Sequence, residues 1–313
     1  MTATYRFGVS HSELRINDDV RAALERKTAV VALETTIVSH GMPYPENLTT
    51  ARALESIVRS LGAVPATIGV LDGCVRVGTS DAELERFARG EGMRKLSTAD
   101  LAYAVASGGD GGMTVAATVA CAHHVGITIM ATGGIGGVHR GVEATMDISA
   151  DLNVLGATPV TVVSAGAKAI LDLPRTLEVL ETLGVSVVCY RTDEFPAFWS
   201  RSSGLAAPIR SDSVEEIARL IRGKRALGLS SGVLVANPIA EEDEIPYAEM
   251  REHIEAATRA AEREDISGKA LTPFLLDQIA TLTRGRSLTA NIALVRANAR
   301  LAALLALALS EQR

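Results

Sequence analysis

The 313-residue chain carries 31 Lys and Arg against 37 Asp and Glu, a formal charge of −6, which argues against a broad nucleic-acid-binding surface and leaves room for a local phosphate site. With 47% hydrophobic and 22% charged residues it has a globular rather than a disordered composition, and its length suffices for a full core. Its three cysteines, Cys74, Cys121 and Cys189, form no CxxC pair and sit in apolar runs, as expected for buried thiols in a reducing, cytoplasmic compartment.

From the N-terminus, MTATYRFGVSHSEL lacks the apolar centre of a secretion signal. TAVVALE (28–34) then reads as a buried strand that delivers Glu34 at its carboxyl end, where a carboxylate breaks the pattern. A turn with Gly41, Pro43 and Pro45 leads into the helix NLTTARALESIVRSLG, ended by Gly62. ATIGVLDG (66–73) and CVRVG (74–78) suit a hairpin, and Ser80 with Glu83 has capping-box spacing. RKLSTADLAYAVASG (94–108) places Lys95 just before a helix, and MTVAATVACAHHVG (113–126) is an apolar helix whose His123 and His124 read as structural.

Two short β-branched runs, Ile127 to Ala131 and Val160 to Val163, suit strands buried on both faces, and between and after them lies ATGGIGGVHRGVEATMDISADLNVLGATPVTVVSAGAK (131–168). Polar residues gather there where strands end, the usual place for a ligand in an open α/β sheet. Beyond Lys168, Asp172 and Pro174 start the helix PRTLEVLETLG, and GVSVVCY (184–190) is a strand. FPAFWSRSSGLAAPIR (195–210) has no period and reads as a long irregular loop. Ser213 and Glu216 again have capping-box spacing, before EEIARLIRG, and SGVLVANPI (231–239) is a late strand. Helices at about 246–264, 272–283 and 288–309 complete the chain, and the apolar tail LAALLALAL (301–309) is too short by itself to span a bilayer. No linker or repeat divides residues 1–313, so a single α/β domain is expected: an α/β/α layered fold with a largely parallel or mixed sheet and helices on both faces.

Several residues carry two readings. The glycines of TGGIGGVHRG fail as a dinucleotide loop, because GxGxxG needs glycine where His139 stands; they serve either a tight turn or an anion held by backbone N–H groups beside His139 and Arg140. Lys168, among small apolar neighbours in SAGAKAIL, either snorkels along a helix or, poorly solvated, attacks carbonyl carbon. Glu34 is either a carboxylate satisfied by the amides of the next turn or a general acid/base tuned by burial. Asp147 and Asp151, four apart, share a face if MDISADL is helical, and could then share a cation or cap a helix. Asn291, on the polar side of its helix, is unremarkable by itself.

Five blocks in one order, ALETTIVSHGMP (32–43), ATGGIGGVHRG (131–141), MDISADL (146–152), SAGAKAILD (164–172) and GKALTPFLL (268–276), resemble the pseudouridine-5'-phosphate glycosidases, also called the indigoidine synthase A-like family. The resemblance runs from about Glu34 to Asn291. It implies reversible cleavage of pseudouridine 5'-phosphate to uracil and ribose 5-phosphate, with Lys168 as the Schiff-base nucleophile and Glu34 as acid/base. It also implies substrate contacts from Lys95, Val115, His139, Ser149, Ala150, Asp151 and Asn291, a divalent cation at Asp147, Mn²⁺ or equally Mg²⁺, and a homotrimer. No nucleic-acid or membrane partner is implied. Departures are Ala99, where the family usually has arginine, and Ala240, where NPIP is usual; both touch substrate contacts rather than the proposed catalytic pair. A Schiff-base sugar-phosphate aldolase and a non-catalytic sugar-phosphate sensor are the alternatives.

Overall fold

A computed structural model describes residues 13–266 and 268–310; the polar N-terminal stretch 1–12, Ser267 and residues 311–313 lie outside it, and with them the reading of the N-terminus as free of a secretion signal. The strands are β1 (Leu14–Ile16), β2 (Val30–Glu34), β3 (Val64–Leu71), β4 (Cys74–Val77), β5 (Arg94–Leu96), β6 (Gly111–Met113), β7 (Ile129–Ala131), β8 (Thr161–Ser164), β9 (Ser186–Tyr190), β10 (Ile209–Ser211) and β11 (Val233–Ala236). The helices are α1 (Asp18–Glu25), α2 (Thr36–Ser39), α3 (Glu46–Ser60), α4 (Asp81–Arg89), α5 (Thr98–Ala106), α6 (Val115–His124), α7 (Val142–Thr145), α8 (Ala150–Ala157), α9 (Leu173–Thr182), α10 (Val214–Ala226), α11 (Tyr247–Arg263), α12 (Leu271–Leu282) and α13 (Arg286–Ser310).

The strands form one sheet in the order β1-β4-β3-β2-β7-β8-β11-β9-β10, with β5 and β6 joined through β6 to β3. From β3 through β2, β7, β8, β11 and β9 to β10 every pairing is parallel. The hairpin β3–β4 and the β3–β6 pair are antiparallel. The expected layered α/β fold with a mixed, largely parallel sheet is therefore found. Its central strands read VVALE, TVVS and VLVA and are buried at every residue, as strands covered by helices on both faces must be.

The pairing of β3 explains how the site opens. β2 accompanies β3 only as far as Glu34 opposite Ile68; from Gly69 onward that edge of β3 is taken by β6. The Thr35 hydroxyl closes the junction, donating to the Ile68 carbonyl (2.7 Å) and accepting from the Met113 amide (2.9 Å). A Cβ on Gly69 would lie 2.3 Å from the Phe87 ring, and one on Gly112 would lie 2.2 Å from Ser39 Oγ, so these crossings require glycine. The chain leaving β2 is thus turned out of the sheet at Glu34.

Two local expectations change. The reciprocal cap at Ser80 and Glu83 is present, whereas at Ser213 only half of it forms: the Glu216 amide donates to Ser213 Oγ, and the Glu216 carboxylate accepts from Ser211 Oγ and the Asp212 amide instead. The tail 301–309 is not a short segment but the end of the 25-residue α13, whose mean hydropathy of 1.8 and length would suit a membrane span. Its apolar side is instead buried against β2, β7 and β8 and between α3 and α10. The cysteines are free and buried, and burial pushes the Cys121 and Cys189 thiols up to about 12.

Candidate active site

Past the ends of β7 and β8 the two chains stay zipped. The Thr132 amide donates to the Val163 carbonyl, Ala165 to Gly133, Ile135 to Gly166 and Lys168 to Ile135, at 2.8–3.0 Å. This extension of the parallel ladder carries Lys168 out to the same edge of the sheet where β2 delivers Glu34. Gly166 (φ +79°) makes the bend, and a Cβ there would lie 2.6 Å from the Pro196 carbonyl. At Gly134 a Cβ would meet the Phe198 ring at 2.6 Å, and at Gly136 it would meet Ser149 Oγ at 2.2 Å. The glycine run therefore exists largely for close packing. Several of its amides are already used internally, since Gly136 donates to Asp151, Val138 to Thr176 Oγ and His139 to the Asp147 carbonyl.

Together these loops enclose a cavity of ≈ 340 Å³. Glu34, Lys95, Val115, His139, Asp147, Ser149, Ala150, Asp151, Lys168 and Asn291 all line it, so every residue that the family resemblance assigns to the site converges on one space. Arg140 does not: it is exposed and faces a neighbouring cleft with Ala169 and Leu171 to Pro174, which removes it as a phosphate contact.

The sequence did not point to Thr36, His40, Ser97, Thr114, Phe198 or Thr272, which share the wall. Thr114 caps α6, a signal available in the sequence; Phe198 comes from the irregular loop, whose buried Trp199 donates to the Ser287 carbonyl at 3.0 Å.

Glu34 is 8% exposed and accepts a hydrogen bond from the Thr132 hydroxyl rather than from turn amides. Burial pushes its carboxyl above the ordinary value; Lys168, the Thr132 hydroxyl and Lys95 pull it down, and Asp151 adds to the rise. His139 is held below its ordinary value by burial, against the attraction of Asp147, with Lys168 and Lys95 adding to the fall. Burial thus works against an imidazolium at His139, which shares the cavity wall with Lys95 and Lys168.

The segment MDISADL is not one helix. Met146 is left-handed (φ 54°), Ser149 is the extended N-cap of α8, and of the two aspartates only Asp151 lies within the helix. The two aspartates consequently do different things. Asp151 is 5% exposed and accepts from the Ala116 amide (2.8 Å) at the start of α6 and from Gly136 (2.7 Å), so it ties a helix N-terminus to the glycine loop. Asp147 sits at the rim with its side chain 37% exposed and 4.0 Å from His139 Nδ1. Among the described residues no group of three or more His, Cys, Asp or Glu is placed to hold a metal. One open carboxylate fits a hydrated, oxygen-liganded divalent ion that keeps most of its waters. Asn291 is not on a polar face: it is 7% exposed, and its Oδ1 has no partner among the described residues. A buried, unpaired acceptor on a cavity wall is placed to receive a ligand's N–H.

A buried carboxylate and a lysine facing one cavity at the carboxyl edge of a largely parallel sheet define an α/β enzyme. The chain belongs to the indigoidine synthase A-like protein family, whose model matches residues 19–308. It is 59% identical to the pseudouridine-5'-phosphate glycosidase of Solibacter usitatus over 94% of this chain and 98% of that one. It is 58% identical to the enzyme of the same name from Methylobacterium nodulans, over 97% and 90%. The prealnumycin C-glycosynthase AlnA, solved in complex with ribulose 5-phosphate, superposes with a TM-score of 0.88 at 39% identity, covering 96% of this chain and 97% of that one. An indigoidine synthase A-like protein from Thermotoga maritima gives 0.87 at 36%, covering 96% and 98%.

Proposed function

We propose that the chain cleaves the C–C glycosidic bond of pseudouridine 5'-phosphate, reversibly, to uracil and ribose 5-phosphate. The observation that carries this is the meeting of Glu34 and Lys168 in one cavity with every other residue that the family resemblance assigns to the substrate. A carbon leaving group has no lone pair to protonate, so the oxocarbenium route of ordinary glycosidases is closed to it. A lysine offers another path. As Lys168 Nζ bonds to C1 of the ribose, the bond from C1 to the ring oxygen breaks and that oxygen takes a proton from Glu34. Glu34, now a carboxylate, takes the surplus proton from the lysine nitrogen and passes it to the uracil carbon, which lets the C–C bond break. Its electron pair restores the pyrimidine double bond while the lysine nitrogen forms an imine with C1, which water hydrolyses to ribose 5-phosphate and free lysine.

Asp147 would hold the divalent cation, Mn²⁺ or Mg²⁺, which when bound supplies positive charge for substrate oxygens. The homotrimer and a cytoplasmic location are carried from the family resemblance and the reduced cysteines. An aldolase and a sensor remain as the competing readings, and turnover separates them: uracil released from pseudouridine 5'-phosphate is the product of the glycosidase alone.

Two outcomes test the pocket. Dephosphorylated pseudouridine is expected to lose about 100-fold or more in kcat/KM, because charge-assisted hydrogen bonds contribute about 1.5–3 kcal/mol each; equal values for the two substrates would contradict a phosphate subsite. Chelation to verified metal removal is expected to lower activity, with recovery on adding Mn²⁺ or Mg²⁺ and little recovery in Asp147→Ala. Unchanged turnover after metal removal would sink the cation assignment.

A further inference from the structure

The Thr132 side chain that donates to Glu34 is itself held from behind. Its amide donates to the Val163 carbonyl (3.0 Å), and its carbonyl accepts from Asn298 Nδ2 (2.8 Å), which also reaches the Gly133 carbonyl (3.3 Å). Two carbonyls demand the donor end of the amide, which leaves Asn298 Oδ1 to accept from Asn237 Nδ2 at 3.0 Å. Asn237 is anchored in turn by its own amide on the Ser164 carbonyl (2.8 Å). The chain of contacts runs from the turn after β11, through α13, to the junction after β7, and ends on the carboxylate of Glu34.

Asn298 is fully buried, on a helix whose neighbouring core residues are Leu294, Val295, Leu301 and Leu305. An amide there costs stability unless its bonds are made, and an apolar side chain would pack the same space more simply. It stands two helical turns after Asn291, on the same face, so α13 presents one amide to the cavity and one to the backbone that frames it. Thr132, 1% exposed and β-branched, has a restricted χ1, so fixing its peptide on both sides fixes where its hydroxyl points.

We infer that Asn298, oriented by Asn237, is a positioning residue for the reaction: it holds the Thr132 peptide so that the Thr132 hydroxyl stays on Glu34. The inference rests on the reading of Glu34 as acid/base. A hydroxyl donated to the carboxylate favours its ionised form, in competition with burial and Asp151 and alongside Lys168 and Lys95. Loosening the relay therefore raises the protonation midpoint of Glu34.

The test compares pH profiles of kcat/KM for pseudouridine 5'-phosphate in wild type, Thr132→Val, Thr132→Ser, Asn298→Ser and Asn237→Ala, with Glu34→Gln as control. Thr132→Val is expected to move the limb set by Glu34 upward by about one pH unit, the size of one hydrogen bond to a charged group. Thr132→Ser should restore it. Asn298→Ser and Asn237→Ala should move it the same way by about half as much, lowering kcat several-fold with KM within twofold. A relay that only supports the fold would lower the melting temperature and leave the profile of the surviving enzyme unchanged, which overturns the inference. If Asn298→Ser fails to fold, Asn237→Ala decides on its own, since it removes only the group that orients Asn298. A Thr132→Val shift without one in either asparagine variant also rejects the relay. Full activity in Glu34→Gln instead rejects the acid/base reading on which the relay stands.

Discussion

Incubated with ribose 5-phosphate and then borohydride, the protein is expected to carry a reduced sugar-phosphate adduct on Lys168, and Lys168→Ala is expected to carry none. The zipped loops after β7 and β8 fix the Lys168 peptide to Ile135, so the amine reaches the cavity from a rigid base rather than from a mobile surface chain. Peptide mapping by mass spectrometry locates the adduct. Turnover in Lys168→Ala should fall below about one ten-thousandth of wild type, equal to roughly 5.5 kcal/mol of barrier. A sensor would bind the sugar phosphate without trapping. An aldolase would trap it, but adding uracil would then not yield pseudouridine 5'-phosphate. Turnover without any adduct would reduce Lys168 to an electrostatic contact and require the imine to be withdrawn.

The parts of this site that were legible in the sequence are those where chemistry breaks a local pattern. Glu34 ends a run of five buried strand residues, and Lys168 stands among small apolar ones; neither belongs there on packing grounds alone. The central strands were legible for the same reason, as bounded β-branched runs. Less visible were four of the five three-residue strands, β1, β5, β6 and β10, which, unlike β7, lie in no longer apolar run and are defined by their partners. Arg140 misled, and so did the pairing of Asp147 with Asp151. Closeness in sequence suggested an anion contact for the first and one helical face for the second, but residue 140 runs outward and the left-handed turn at Met146 separates the two aspartates. Thr132 and Asn237 lay inside segments shared with the family but with no role legible for them, and Asn298 had no signal at all. A buried asparagine is only recognisable once the carbonyls that it satisfies have been brought to it by the fold, from positions 165 and 166 residues away.

Replacing Glu34 by glutamine is expected to cost the enzyme about 10²- to 10⁴-fold in kcat, the usual contribution of a general acid/base, and at the same time to make the protein more stable at neutral pH. The second effect follows from the sign of the shift. The folded carboxyl titrates above its ordinary value because burial outweighs the favourable pull of Lys168, Thr132 and Lys95. A group raised in the folded state contributes its stability fully below the unfolded value and loses it as pH rises through the folded one, so at neutral pH, where the unfolded chain ionises freely, burying this carboxyl is a net cost to the wild-type fold. Glutamine is uncharged at every pH and its side-chain oxygen can still accept from the Thr132 hydroxyl. The melting temperature of Glu34→Gln should therefore exceed that of wild type at pH 7–8, and the difference should shrink as pH falls toward the ordinary glutamate value of about 4.5. A difference independent of pH would show that the carboxylate is not burdened by burial, and an inactive but no more stable variant would separate the catalytic role of Glu34 from the strain assigned to it.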